Sequence, residues 1–343
     1  MEVNQNYFDL SLKNKQSSPG ESYFFGHGKL LISGEYVLLE GAQALALPTK
    51  PGQNMSVRYE KSYNDPKLLW RSLDHLGECW FEAEFELWNF EQTSGEHSDK
   101  VVFLQKLLRQ LRVQNKHFLR EEVTVYVETR LGFPKTWGLG SSSTLIYNLS
   151  QWAYVSPFEL LFKTSLGSGY DVACAQSDGP ILYKNDSEGP IYSPVVFDPS
   201  FKNNIHFVYL GKKQDTLKEI SRFQSLEKNK SKNVISEISE ITNRFLQCDN
   251  INSFMNLMFE HEKILSSYLS RSNVKDLRFI DFDGAIKSLG AWGGDFVMVV
   301  SEKSTEDTKR YFMEKGYNFC LPYKDIIADN TMLNKEISER TYH

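Results

Sequence analysis

Hydrophobic and polar positions change period most sharply around residue 135. Val123, Val125 and Val127 alternate with Thr124, Tyr126 and Glu128, the pattern of a half-buried strand. Farther on, Leu145, Leu149, Trp152 and Ala153 recur at helical spacing. Between them runs Pro134 to Thr144, carrying Gly138, Leu139, Gly140, Ser141, Ser142 and Ser143. A strand therefore enters a glycine-rich turn, and a run of hydroxyls opens the next helix. The first backbone N–H groups of a helix have no internal partner and the dipole adds partial positive charge, so such a start can hold a phosphate. Gly138 and Gly140 let the backbone approach an anion without a Cβ in the way. An ordinary capped helix with Ser141 as N-cap fits the same residues. The P-loop pattern, which needs a Lys-Ser or Lys-Thr pair after its second glycine, does not. Nor does the dinucleotide pattern, whose third glycine would fall on Ser143.

The same reading along the chain predicts strands over Lys29–Leu39 and Met55–Glu60 and a hairpin of 67–70 with 80–85 around Asp74–Gly77. Val101–Leu111 has the apolar stripe of an amphipathic helix, and Pro157–Thr164 reads as a short helix capped by Ser156. Three prolines and little periodicity mark 189–199 as the domain boundary. Beyond it the pattern predicts a strand at 205–210, helices at 216–226, 233–247 and 251–269, and strands at 285–289 and 296–300 around Gly290–Gly294. A helix at 306–315 and a short strand near Phe319 follow. Strands and helices mixed in this way give an α+β fold class. The expected domains are a loose tail at 1–21, an N-terminal domain at 22–190 and a C-terminal domain at 191–343.

At 343 residues the chain is long for a single core, which agrees with two domains. Its 41% hydrophobic and 24% charged residues are those of a globular chain. A net charge of −5 argues against nucleic acid as a partner, since that affinity comes from Lys and Arg neutralising phosphates. Four scattered cysteines without a C-x-x-C pair indicate neither a zinc site nor a disulfide framework, and reduced thiols fit a cytoplasmic location. No membrane or signal segment is read from the sequence. His261 lies between Glu260 and Glu262, but with no second histidine four residues on it does not indicate a metal site.

Four segments, in order, resemble the GHMP kinase superfamily, the group of galactokinase, homoserine kinase, mevalonate kinase and phosphomevalonate kinase. Gly28, Lys29, Gly34, Glu35, Tyr36, Gly41 and Ala46 are similar to the N-terminal signature. Gly138 to Ser143 resembles the family's G-L-G-S-S-A loop, and Gly167, Gly169, Tyr170, Asp171 and Ala173 resemble the element that supplies its acidic residue. Lys287, Gly290, Ala291, Trp292, Gly293, Gly294 and Asp295 resemble the C-terminal glycine loop. The Gly34-Glu35-Tyr36 triplet and the Gly-Gly-Asp ending look more like mevalonate and phosphomevalonate kinases than galactokinases, and the G-Y-D-V-A form suggests a distinct subgroup.

The resemblance implies a two-domain GHMP kinase fold, with an N-terminal domain like ribosomal protein S5 domain 2 and a ferredoxin-like C-terminal domain. It implies ATP and Mg2+ as cofactors and a small-molecule substrate, mevalonate or phosphomevalonate first. It assigns Gly138, Leu139, Gly140, Ser141, Ser142 and Ser143 with Gly290, Ala291, Gly293 and Gly294 to nucleotide phosphates. Ser142 and Glu159, twelve residues before Asp171, are its magnesium ligands. Asp171 would accept the proton of the substrate hydroxyl, with Lys29 beside it favouring the ionised carboxylate. Lys212, Lys213 and Thr216 fall where the family often contacts substrate. The chain departs from the pattern at Trp292, whose ring would narrow a loop that usually has glycine, at Tyr36, at Ser143, and in the short interval from Ser142 to Asp171. Two other readings stay in view: a decarboxylase of diphosphomevalonate type on the same fold and, from Trp292 and the short interval, a nucleotide-binding protein without catalysis. The oligomeric state stays open, a homodimer among the options.

Overall fold

The computed structural model describes residues 20–62, 65–211, 231–290, 292 and 294–328. The predicted helix at 216–226 and Lys212, Lys213 and Thr216 lie outside the described residues, as do Ala291 and Gly293. Contacts divide the chain into two compact units. The first comprises the residues up to Gly28, Pro51–Lys135 and Leu139–Gln176; the second comprises Lys29–Lys50, Thr136–Gly138 and the chain from Ser177 on. Two paired strands, β1 (Glu21–Leu31) and β2 (Gln43–Lys61), each contribute part of their length to both units.

In the first unit the later half of β2 pairs antiparallel with β6 (Val123–Leu131), which lies parallel to β3 (Lys67–Leu73). The hairpin of β3 with β4 (Cys79–Glu86) forms around Asp74–Gly77 as its turn residues predict, and β5 (Gln92–Ser94) adds an edge. Alternation decides the buried face. Met55, Val57, Leu68, Trp70, Phe85, Val125 and Val127 point into one core with Leu104, Leu107 and Leu108 of α1 (Asp99–Gln114). Leu149 and Trp152 of α2 (Ser141–Ala153), Leu160 and Leu161 of α3 (Pro157–Thr164) and Val172 of α4 (Tyr170–Ala175) complete it. Helix α3 begins as expected, with Pro157 at its first position and Ser156 Oγ accepting the Glu159 N–H at 3.3 Å.

In the second unit β7 (Ile181–Asp186) pairs with the first residues of β2 and with β8 (Gly189–Pro194). Strand β8 occupies part of the segment that prolines made look irregular. It is an edge strand with Pro190 and Pro194 near its ends, where a missing N–H is tolerated. A second, antiparallel sheet has the order β10-β11-β9-β12, built from β9 (Ile205–Tyr209), β10 (Ala285–Leu289), β11 (Phe296–Val300) and β12 (Cys320–Pro322). Every residue of β9, β10 and β11 is buried; β11 is the unbroken apolar run of a strand covered on both faces, whereas β9 and β10 also bury His206, Lys287 and Ser288. Helices α5 (Ser231–Gln247), α6 (Ile251–Leu269), α7 (Val274–Arg278), α8 (Thr305–Glu314) and α9 (Tyr323–Ile326) accompany this sheet. Among the described residues no helix is long and apolar enough to cross a membrane.

The strand expected over Lys29–Leu39 stops at Leu31. Gly34 takes φ +92°, where a Cβ would stand 2.6 Å from Ala44 Cβ, and Val37–Glu40 form a 3-10 turn instead. Val37 and Leu38 are buried because the chain turns inward there, not because it alternates.

Candidate functional site

In the first unit the glycine loop delivers the chain into α2. Gly140, at φ +92°, is the N-cap, so Ser141 is the first helical residue and not the cap. No side chain caps the helix, and its ladder starts with the Thr144 N–H donating to Gly140 O at 3.0 Å. The N–H groups of Ser141, Ser142 and Ser143 precede that bond and are the donors available to an anion. Ser143 Oγ donates to Gly140 O at 2.9 Å and tightens the turn, while the exposed Ser142 hydroxyl makes no hydrogen bond among the described residues. The start of α2 is anchored from below: Thr144 Oγ1 donates to Gln53 Oε1 at 2.7 Å and Asn148 Nδ2 to Gln53 O at 2.9 Å, all three residues buried. Sequence reasoning missed this anchor. Its signal is two polar residues four apart, Thr144 and Asn148, on the helix face that also carries Leu149 and Trp152.

Asp171 opens α4 after Gly169 (φ +91°), and its Oδ1 accepts the Val172 N–H at 3.0 Å. Helices α2 and α4 pack against each other, so the structure brings the Ser141–Ser143 helix and the Asp171 helix together. It does not do the same for Ser142 and Glu159. Ser142 sits in the first turn of α2, whereas Glu159 sits in the first turn of α3, which starts only four residues after α2 ends. From Ser142 to Ala153 the helix rises about 16 Å, against metal–oxygen bonds of about 2.1 Å. The chain thus reaches Glu159 from the C-terminal end of α2, whereas Ser142 stands at its start.

The second unit contains the other loop segments. Trp137 is buried there against Tyr209, Phe296 and Phe319, with ring centroids 6.1, 5.5 and 5.5 Å away. Tyr209 Oη donates to Thr136 O at 3.0 Å. These contacts fix the backbone at Gly138, whose φ is +66°; a Cβ there would lie 1.8 Å from Asp295 Oδ2. Gly138→Ala is therefore expected to displace Asp295 and to cost about 1–3 kcal/mol of stability. A urea-denaturation midpoint equal to wild type would show that the loop yields without cost. Lys29 is half-buried at the end of β1, and Gly290 (φ +70°) leaves β10 toward Gly294 and Asp295. The Trp292 ring is buried, at 7% exposure, and its indole N–H donates to Ser272 O at 3.0 Å.

Four ionisable side chains are buried together in this unit: Glu35, His261, Glu262 and Lys287. Lys287 Nζ contacts Glu35 Oε1 and donates to Ser288 O at 3.0 Å. His261 Nε2 lies 3.3 Å from Glu35 Oε2 and 3.4 Å from the Gly34 N–H. Burial pushes the Glu35 carboxyl up, and Lys287 partly opposes that shift. Burial, with Lys287 nearby, holds His261 well below the usual imidazole range. Glu262 is pushed up to about 8 by burial, and although Ser288 faces it, neither of its oxygens completes a hydrogen bond among the described residues. The sequence carried a signal for this cluster as well. Phe254, Met258, His261, Glu262, Leu265 and Leu269 share the inward stripe of α6, whereas Glu260 falls outside it.

Neither a protein-family model nor a protein of curated function matches the sequence. Solved structures do match the fold. The Lin0012 protein from Listeria innocua aligns with TM-score 0.67 and 18% identity over 88% of this chain and 97% of its own. The Methanococcus jannaschii mevalonate kinase aligns with TM-score 0.64 and 15% identity over 92% and 100%. The Streptococcus pneumoniae phosphomevalonate kinase, in complex with phosphomevalonate and AMPPNP, aligns with TM-score 0.63 and 16% identity over 87% and 99%. This chain has the GHMP kinase fold.

Proposed function

We propose that the chain is an ATP- and Mg2+-dependent small-molecule kinase whose acceptor is mevalonate or phosphomevalonate. The observation that carries the reading is the start of α2: three consecutive serine N–H groups with no side-chain cap, reached through Gly140 and packed beside the helix that presents Asp171. Uncapped N–H groups on a pinned helix stabilise phosphate charge without reorganising, which is what phosphoryl transfer asks of a protein. The alignment with an AMPPNP-bound phosphomevalonate kinase supports a nucleotide triphosphate as the occupant.

Ser141, Ser142 and Ser143 would bind the β- and γ-phosphates through their N–H groups. Magnesium, when bound, would neutralise charge on those phosphates, and the unpaired hydroxyl of Ser142 is the ligand the first unit supplies, the rest being phosphate oxygens and water. Asp171 would take the proton from the acceptor hydroxyl, a contribution of roughly 10²–10⁴-fold. Lys29 and the segment from Gly290 to Gly294 take their roles, stabilising the forming alkoxide and lining the phosphates, from the resemblance. The location that fits such an enzyme is the cytoplasm.

A coupled ADP-release assay across mevalonate, phosphomevalonate, homoserine and sugars tests this reading. ADP release that depends on one of the first two acceptors is the expected result. Carbon dioxide release would move the reading to a decarboxylase, and nucleotide binding with no turnover on any acceptor would overturn catalysis altogether.

A further inference from the structure

The turn Gly34-Glu35-Tyr36 in the second unit is strained in a way that its chain path alone does not require. Tyr36 takes φ 64° and ψ −55°, and the Val37 N–H donates to Glu35 O at 2.8 Å. That is the γ-turn with a positive central φ, rare and strained for any residue with a Cβ and more so for an aromatic one. Such conformations persist where surrounding contacts over-determine them, and they concentrate at functional sites.

The contacts that hold this turn lead to one place. Tyr36 Oη accepts the backbone N–H of Trp292 at 2.6 Å. Glu35 meets Lys287 on β10, three residues before the loop leaves the strand at Gly290. From the other side Ser272 O accepts the Trp292 indole N–H at 3.0 Å. Tyr36 and Trp292 are both buried, at 9% and 7% exposure, so these bonds are shielded from competing water. Returning Tyr36 to an ordinary negative φ would redirect its Cα–Cβ bond and carry the phenol off the Trp292 N–H. Strain in the turn and fixity in the loop are thus one arrangement. Trp292 fits it better than glycine would: its ring and indole N–H give the loop a third attachment.

We propose that Tyr36 and the Glu35–Lys287 pair are positioning residues, which tether the loop after β10 and so hold it in the form that receives nucleotide phosphate. The tether stands on contacts within the second unit; only the identity of the ligand rests on the kinase reading. None of the three residues needs to touch nucleotide. They act through the backbone at Trp292.

Tyr36→Phe tests the effect, because it keeps the ring and removes the phenol oxygen that accepts the Trp292 N–H. Hydrogen exchange of the peptide spanning 288–296 is read alongside KM for ATP and kcat. Loss of one neutral hydrogen bond, about 1 kcal/mol, corresponds to roughly fivefold. Exchange at the Trp292 amide is expected to speed up by about that factor, and KM for ATP to rise by about the same, with kcat within about twofold. Exchange elsewhere in the second unit is expected to stay at wild-type rates, which a merely structural role would not produce. Unchanged exchange at 288–296 overturns the tether. Faster exchange with unchanged KM overturns the link from tether to nucleotide. A wild-type protein with no ADP release on any acceptor counts against the kinase reading instead, and the exchange measurement still decides the tether. Should Tyr36→Phe fold poorly, Trp292→Phe supplies the second arm. It keeps the amide bonded to Tyr36 while freeing the ring from Ser272, so exchange at 288–296 should stay within about twofold of wild type; a rise of about fivefold or more would mean that the ring, not the Tyr36 bond, holds the loop, and overturns the tether.

Discussion

Replacing Asp171 with asparagine is expected to cut turnover on the preferred acceptor by roughly 10²–10⁴-fold while ATP affinity changes by less than about twofold. The substitution keeps the side chain's shape, and an amide oxygen can still accept the Val172 N–H that Asp171 Oδ1 accepts at 3.0 Å. Folding should therefore survive, at a cost no larger than the few tenths of a kcal/mol that a carboxylate gains at a helix N-terminus. What asparagine cannot do is take a proton. ADP release gives the first quantity and calorimetric titration with a non-hydrolysable ATP analogue the second. Turnover at the wild-type level would remove Asp171 from the chemistry; equal losses of ATP binding and turnover would make it a residue of the phosphate loop.

The second large effect is expected at Lys287. Lys287→Met leaves Glu35 buried without its cation, a change that typically costs about 3–5 kcal/mol. The double variant Glu35→Gln/Lys287→Met removes both charges and should recover at least half of that loss in urea denaturation at neutral pH. If it is no more stable than the single variant, the pair is not what stabilises this region. The cluster also gives stability a pH dependence whose sign is fixed. Glu262 is raised to about 8 in the folded protein, so between about 4.5 and 8 the folded state binds more protons than the unfolded one, and stability falls as pH rises. Glu35, raised by burial as well, acts in the same direction. His261 is depressed, so below about 6.5 the unfolded state binds the extra proton and stability falls as pH drops. The opposed effects overlap below about 6.5, and above it Glu262 dominates. Stability should decline from about pH 6.5 to 8, by at most about 1.4 kcal/mol per pH unit from Glu262, and Glu262→Gln should flatten that decline.

Much of the fold can be read from residue period alone. The alternation in β6, the stripe of α1 and the unbroken apolar run of β11 appear in the structure where the sequence predicts them, because burial on one face or two leaves a direct imprint on residue order. The reading fails where backbone conformation outweighs period. Val37 and Leu38 look like strand residues, but Gly34 and the γ-turn at Tyr36 bend the chain before them. Pro190 looks like a breaker until β8 is known to be an edge. The candidate site divides in the same way. Local motifs such as Gly138–Ser143 and Gly169–Asp171 are visible as strings. Ser142 with Glu159 is a statement about two helices, and spacing along the chain does not fix how their first turns stand to each other. Lys287 with Glu35 is farther from legible, since 252 residues separate them and each alone looks like an ordinary charge within a motif.

Trp137 has one more consequence. It stands immediately before Gly138, yet its ring is part of the second unit's aromatic core, beside Tyr209, Phe296 and Phe319. Neutral drift in most cores is a matter of volume, and one apolar residue can replace another over many generations. Here a change at Phe296 or Phe319 would also shift the peptide that leads into the glycine turn. Those positions answer to two selective demands at once, and they should accept fewer substitutions than equally buried residues elsewhere in the same unit.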